Sequence, residues 1–151
     1  MPDPCRIFLL EDSSDDLFFI KQALTQLKIT DPLICVRDGQ EAMDYLAGRG
    51  NYKDRTQFPL PTHALLDLKV PRISGLELLE WMRGVPDYAQ LPVIVFTSST
   101  DRSDVQKARA LGIDAYLVKP VAFKDLVASI DVIRRFWSGE AKDAIASLDV
   151  R

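Results

Sequence analysis

One histidine, His63, and two cysteines, Cys5 and Cys35, are all that this 151-residue chain offers of the side chains that most often bind transition metals or serve in catalytic triads. A histidine metal site, a proton shuttle or a serine-type triad would have to rest on His63 alone, which precedes an apolar run and reads as a surface or strand-entry residue. The cysteines show neither a metal-ligand spacing nor a repeating disulfide pattern, so both are expected to be reduced thiols, Cys35 as a small core residue. No apolar run approaches the roughly 20 residues that cross a bilayer, and the start Met1-Pro2-Asp3-Pro4-Cys5 lacks the basic-then-apolar order of a signal peptide. A cytoplasmic protein with no membrane partner is expected. Basic residues (19) are fewer than acidic ones (22), and the net charge of -3 removes the electrostatic basis for gripping nucleic acid.

What is present is a composition, 47% hydrophobic and 27% charged, that suits one domain with a complete core. Five short apolar runs, Ile7 to Leu10, Leu33 to Val36, Ala64 to Leu66, Val93 to Phe96 and Ala115 to Val118, have strand length. Between them lie segments of helical spacing. Leu17, Ile20, Leu24 and Leu27 form the first stripe, behind a Ser and Asp cluster suited to capping. Further stripes follow at Ala42, Met43 and Leu46, at Leu76, Leu79 and Met82, at Val105, Ala108 and Leu111, and at Phe123, Leu126, Val127, Ile130 and Ile133. Five strand-helix units with continuously apolar strands imply an α/β fold in which a doubly wound parallel sheet carries helices on both faces. Ligands of such open sheets sit at the C-terminal strand ends.

Two segments stand outside this rhythm. Residues 47–62, with Gly48, Gly50, Asn51, Pro59 and Pro61, read as a long surface connection. Residues 138–151 form a tail able at most to extend the last helix or add a small one, and too short for an output domain.

The strand ends carry the chemistry. The first run is followed by Glu11-Asp12, the third by Asp67, the fourth by Thr97-Ser98-Ser99 and the fifth by Lys119-Pro120. On one rim, three carboxylates would meet a hydroxyl and an ammonium. Clustered carboxylates repel unless a cation neutralises them, and an oxygen-ligand site that retains water suits Mg²⁺, with Asp12 and Asp67 as direct ligands. A carboxylate can also attack a phosphoryl group while the metal and a fixed lysine compensate the charge, here Asp67 attacking with Lys119 and Thr97 holding the product. Taken singly, Asp67 is more often a turn or helix-cap residue, and Glu11-Asp12 alone could be another N-terminal cap.

In combination they resemble a known family. Glu11-Asp12, the stretch DLKVPRISG from Asp67 to Gly75, Thr97 after VIVF and Lys119-Pro120 after YLV are similar to the response-regulator receiver domain of two-component signalling, over about Arg6 to Trp137. The resemblance implies a flavodoxin-like sheet of order 2-1-3-4-5 with an extended C-terminal helix, a receiver domain at 1–137 and a tail at 138–151. It implies that Asp67 takes a phosphoryl group from a phosphohistidine on a sensor histidine kinase. Asp12 and Asp67 would bind Mg²⁺ directly, Lys69 through its backbone carbonyl and Glu11 through water. Thr97 and Tyr116 would be the switch pair that remodels a protein-protein contact face near Leu111 to Phe123, and Pro120 would be cis. The chain would then be a signalling phosphoacceptor, not an enzyme in the ordinary sense, although it assists its own phosphotransfer and dephosphorylation.

Lys69 departs from the uncharged residues frequent at its position. It either slows or redirects water attacking the acyl phosphate, or simply reaches into solvent. Tyr116 is either the switch aromatic or a half-exposed strand residue. Phe136 and Trp137 either mark a contact surface, including a homodimer through helices four and five, or pack on their own domain. The long 47–62 connection, the turn after Asp67 and the Phe-Trp ending also resemble stand-alone regulators that partner bacterial phytochrome-type kinases; the alternative is a stand-alone regulator of another pathway, with an unknown downstream protein in either case. Two rival classes compete less well. A haloacid-dehalogenase-like phosphotransferase wants a second Asp where Lys69 stands, and a nucleotide or flavin module needs a phosphate loop where Glu11-Asp12 would repel it.

Overall fold

Ile7–Leu10, the first apolar run, forms β1 with all four residues buried. The computed structural model describes residues 5–151, so the reading of residues 1–4 as free of a targeting signal lies outside them. In chain order the elements are β1, α1 (Ser14–Gln26), β2 (Leu33–Val36), α2 (Gly39–Ala47), β3 (His63–Leu66), α3 (Gly75–Arg83), β4 (Val93–Thr97), α4 (Arg102–Ala110), β5 (Ala115–Val118), α5 (Phe123–Trp137) and α6 (Lys142–Leu148). All strand pairs are parallel and the order is β2-β1-β3-β4-β5, as expected. Among the described residues no helix is long and apolar enough to cross a membrane.

Alternation along the strands divides the core in two. Phe8, Leu10, Ala64, Leu66, Val93, Val95 and Tyr116 face α2, α3 and α4, meeting Leu46, Leu78, Met82 and Val105. Leu9, Leu65, Ile94, Phe96 and Leu117 face α1 and α5, meeting Ile20, Leu126, Ile130 and Ile133. Burying one such side chain contributes roughly 1.5–3 kcal/mol, which is why four-residue strands suffice when both faces are covered.

Register aligns the rim. Leu10 pairs with Val36 on one side and Leu66 on the other, so Glu11 and Asp67 emerge from neighbouring strands at the same height. Thr97 pairs with Val118, and the Lys119 amide donates to the Thr97 carbonyl at 2.8 Å. Ser13 and Asp38 cap α1 and α2, while Ser74 and Glu77 form a reciprocal capping box on α3. Two glycines admit the loop between β3 and α3. A Cβ on Gly39 would fall 1.8 Å from the Ile73 carbonyl oxygen, and one on Gly75 would fall 2.2 Å from that of Asp67.

The 47–62 connection is more ordered than its composition implies. Gly50–Tyr52 form a 3-10 turn, and Tyr52 and Phe58 pack edge-on at 5.1 Å while both also pack against Tyr45 of α2. Arg55 donates to the carbonyls of Tyr45, Leu46 and Phe58, and Tyr45 Oη donates to the Pro59 carbonyl at 2.8 Å. Aromatic burial and a guanidinium that satisfies three carbonyls make the segment part of the wall of the domain.

Trp137 packs on its own domain, its ring 4.8 Å from that of His63, which opens β3 and is half-buried. Phe136 is likewise half-buried against the core beneath α1 and α5. Beyond α5, Gly139 and Ala141 take left-handed backbone angles of φ 90° and 58°, and the chain turns into α6 as a separate short helix. Ile145 of α6 is buried, and Asp149 and Val150 lie along β5.

Candidate functional site

Asp67 is buried at the end of β3 with both carboxylate oxygens engaged. Oδ1 accepts from Thr97 Oγ1 at 2.7 Å and from the Lys69 amide at 3.2 Å, and Oδ2 accepts from Lys119 Nζ at 2.7 Å. Lys119 also reaches Glu11 Oε1 at 2.5 Å and Asp16 Oδ2 at 2.9 Å. Burial disfavours its ammonium, but hydrogen bonds to Asp67, Glu11 and Asp16 outweigh this and raise its pKa, keeping it charged. Burial raises the Glu11 carboxyl, with Lys119 acting in the opposite sense. One ammonium therefore balances three carboxylates.

Glu11, Asp12 and Asp67 each place an oxygen such that the three lie within 4.8 Å of one another. Three carboxylates at that spacing, with Asp12 only half-buried, suit a hard divalent cation that keeps part of its water. The donor chemistry therefore fits Mg²⁺.

Of the residues singled out in the sequence, Glu11, Asp12, Asp67, Thr97 and Lys119 come together at this rim, and Lys69 supplies a backbone contact to it. Its side chain does not simply enter solvent. Lys69 Nζ lies 3.0 Å from Asp104 Oδ2 at the start of α4, and the pairing raises the lysine. Asp104 also accepts from Ser99 Oγ at 2.7 Å; that hydrogen bond and Lys69 hold its carboxyl below the usual range. Tyr116 is fully buried, not half-exposed, and its hydroxyl donates to the Ser99 carbonyl at 2.9 Å. Pro120 departs from expectation: every described peptide bond is trans. The trans form is intrinsically favoured by about 0.5–1 kcal/mol, and Lys119 reaches its partners without the cis bond.

Sequence reasoning missed Asp16 and Asp104. Asp16 stood inside a cluster read as a helix cap, yet it lies four residues after Asp12, one helical turn along the face that Lys119 approaches. Asp104 follows no strand, and nothing local distinguishes it from an ordinary first-turn carboxylate.

Comparison with known proteins agrees with this geometry. Residues 7–131 match the response regulator receiver domain family. The chain is 34% identical over 140 residues to a probable methanogenesis regulatory protein, FilR2, of Methanothrix harundinacea, covering 91% of this chain and 86% of that protein. It is 36% identical over 134 residues to the response regulator Rcp1 of Synechocystis, covering 89% of each. The crystal structure of the Mn²⁺-bound form of Rcp1 superposes with a TM-score of 0.80, over 89% of this chain and 94% of that one. The phosphorylated cyanobacterial phytochrome response regulator RcpA superposes with a TM-score of 0.82 at 31% identity, over 89% and 94%. Receiver domains take phosphoryl groups from histidine kinases on an aspartate and bind Mg²⁺ or Mn²⁺ in an acidic pocket. With a family match across most of its length and relatives aligned nearly end to end, the chain belongs to the response regulator receiver domain family.

Proposed function

We propose that this chain is a single-domain response regulator whose Asp67 accepts a phosphoryl group from a phosphohistidine on a sensor histidine kinase. The observation that carries the reading is the arrangement at Asp67, where a hydroxyl, an amide and an ammonium converge on its carboxylate beside Glu11 and Asp12. One Asp67 oxygen forms the new P–O bond as the donor P–N bond breaks, and the bonding pair returns to the imidazole nitrogen. Mg²⁺ bound by Asp12, Asp67 and the Lys69 carbonyl, with Glu11 acting through water, would offset the carboxylate charge and draw electron density from the phosphoryl oxygens. Lys119 holds one phosphoryl oxygen and Thr97 another. The same Asp67 adduct is released by water, so the chain turns over its own modification without acting on a diffusible substrate.

The switch runs through Thr97 and Tyr116 to the face of α4, β5 and α5, where a downstream protein or a second copy would read it. Similarity to phytochrome and bacteriophytochrome response regulators favours a phytochrome-type kinase as donor, and the cytoplasm is the proposed compartment. Residues 1–137 are taken as the receiver and 138–151 as its tail, with the α4, β5 and α5 face as the surface a downstream protein would read.

The test is incubation with Mg²⁺ and acetyl phosphate. A single added phosphoryl mass mapped to Asp67, absent without Mg²⁺ and absent in Asp67→Asn, is expected; labelling retained in Asp67→Asn sinks the assignment. Many turnovers of generic phosphate esters would instead mark a phosphatase.

A further inference from the structure

The tail and the acceptor site hold opposite ends of the same two elements. On the edge strand β5, the Tyr116 amide donates to Asp149 Oδ1 at 2.8 Å, and the Tyr116 carbonyl accepts from the Val150 amide at 2.8 Å. The Tyr116 hydroxyl meanwhile donates to the Ser99 carbonyl, two residues beyond the Thr97 that contacts Asp67. On α4, Arg109 donates to Asp149 and to the Val150 carbonyl, whereas Asp104, five residues earlier, is tied to Lys69 and Ser99. The buried Asp149 side chain thus bridges the end of α4 and the middle of β5.

The helix between these ties is weakly anchored otherwise. α4 buries only Val105 and Ala108 of its apolar residues. A helix with so small an apolar face takes its position from polar contacts at its two ends, so a change at one end is felt at the other.

We infer that the Asp149-Val150 segment is a clamp that stabilises the inward arrangement of Tyr116 and α4, and is therefore positively coupled to phosphoryl binding at Asp67. The inference rests on reading Asp67 as the acceptor. The sign follows from what coexists in one conformation: Thr97 on the Asp67 carboxylate, Tyr116 fully buried, and the tail closed over β5. A phosphoryl group held by Thr97 favours that conformation, and linkage requires the closed tail to favour the phosphoryl group by the same factor.

The experiment uses Mg²⁺ with beryllofluoride as a non-covalent phosphoryl mimic on the full chain. Hydrogen exchange at the Tyr116 amide is expected to slow when the mimic binds. Asp149→Ala and Val150→Pro, the second removing the N–H donor to Tyr116 along with the packed valine side chain, are expected to weaken mimic affinity by about fivefold or more, the lower range of measured couplings. Lys142→Ala, at the exposed start of α6, is expected to leave it unchanged. Thermal unfolding verifies that each variant folds. Normal mimic affinity in both clamp variants, together with unchanged Tyr116 exchange in the native chain, overturns the coupling and leaves the tail a structural cover. Failure of the native chain to gain a phosphoryl mass from acetyl phosphate overturns the acceptor reading itself, and the coupling with it.

Discussion

The ammonium of Lys69 lies 3.0 Å from Asp104 Oδ2, and the same carboxylate oxygen accepts from Ser99 Oγ. The residue two beyond the acceptor is thereby tied to the residue two beyond Thr97, across neighbouring loops. The partners do not contribute equally. With its side chain 62% exposed, Lys69 adds no more than about 1 kcal/mol. Removing the nearly buried Asp104 leaves the Ser99 hydroxyl without its acceptor and costs roughly 1–3 kcal/mol. Urea denaturation of Asp104→Ala and Lys69→Ala should rank them in that order, and the decay of the acyl phosphate should change more in the first. A larger effect from Lys69→Ala would mean that the lysine acts directly on the phosphoryl group.

Lys119 is the sole cation touching Glu11, Asp16 and Asp67 among the described contacts. Lys119→Gln leaves a buried carboxylate pair without countercharge, at a cost of about 3 kcal/mol in metal-free protein. Saturating Mg²⁺ should restore much of that stability, and Mg²⁺ should bind the variant more tightly than the native chain, because the competing ammonium is gone. Unfolding midpoints with and without a chelator measure both effects. An equal loss of stability in the two conditions would show that the lysine is not the charge that metal replaces. Labelling by acetyl phosphate should fall strongly in either case.

His63 is the only histidine, so its titration is separable from all others near neutrality. Burial, and after it the Arg134 guanidinium, hold its imidazole below the ordinary value. The unfolded chain therefore takes up a proton near pH 6.5 that the folded chain resists, and stability falls as pH drops below about 6.5 until the folded value is passed. His63→Gln should flatten that part of the pH profile while leaving its high-pH end nearly parallel. Denaturant midpoints measured across this range for the two proteins give the comparison, and identical slopes would rule out His63 as the source.

Phe19, Val121 and Phe123 are exposed beside the site, on α1 and around the start of α5, and line a cavity of about 380 Å³ together with Asp16 and Lys119. A kinase that presents its phosphohistidine to Asp67 must cover this rim. Phe19→Glu should slow transfer from a phosphorylated kinase at least tenfold, equivalent to about 1.4 kcal/mol, while labelling by acetyl phosphate stays within error. Equal slowing with both donors would mean that the substitution damages the site instead of the docking surface.

The strands and the gathering of the rim residues were legible because both follow from short-range rules. A four-residue apolar run between helical stripes has the length of a buried strand and not of a helix, and in-register parallel pairing then delivers Glu11, Asp67, Thr97 and Lys119 to one edge. What escaped depends on contacts between distant segments. Asp104 gains its role from Lys69 and Ser99, and Asp149 from Arg109 and Tyr116, none of which leaves a periodic trace. How firmly the 47–62 segment packs was not legible, because glycine and proline announce a turn, whereas Tyr52, Arg55 and Phe58, at irregular spacing, decide the packing.

Gly39 and Gly75 press against the loop that carries Asp67, leaving no room for even a methyl group on either side. As the proposed acceptor, Asp67 would then be the stationary member of the site, like a fixed jaw against which the other parts close. On the proposed reading, motion on phosphorylation would be left to the Thr97 to Asp104 stretch and to the Lys119 side chain. Residue changes meant to retune the signal therefore belong in those moving parts, whereas changes in the 67–75 loop would alter whether the jaw exists at all.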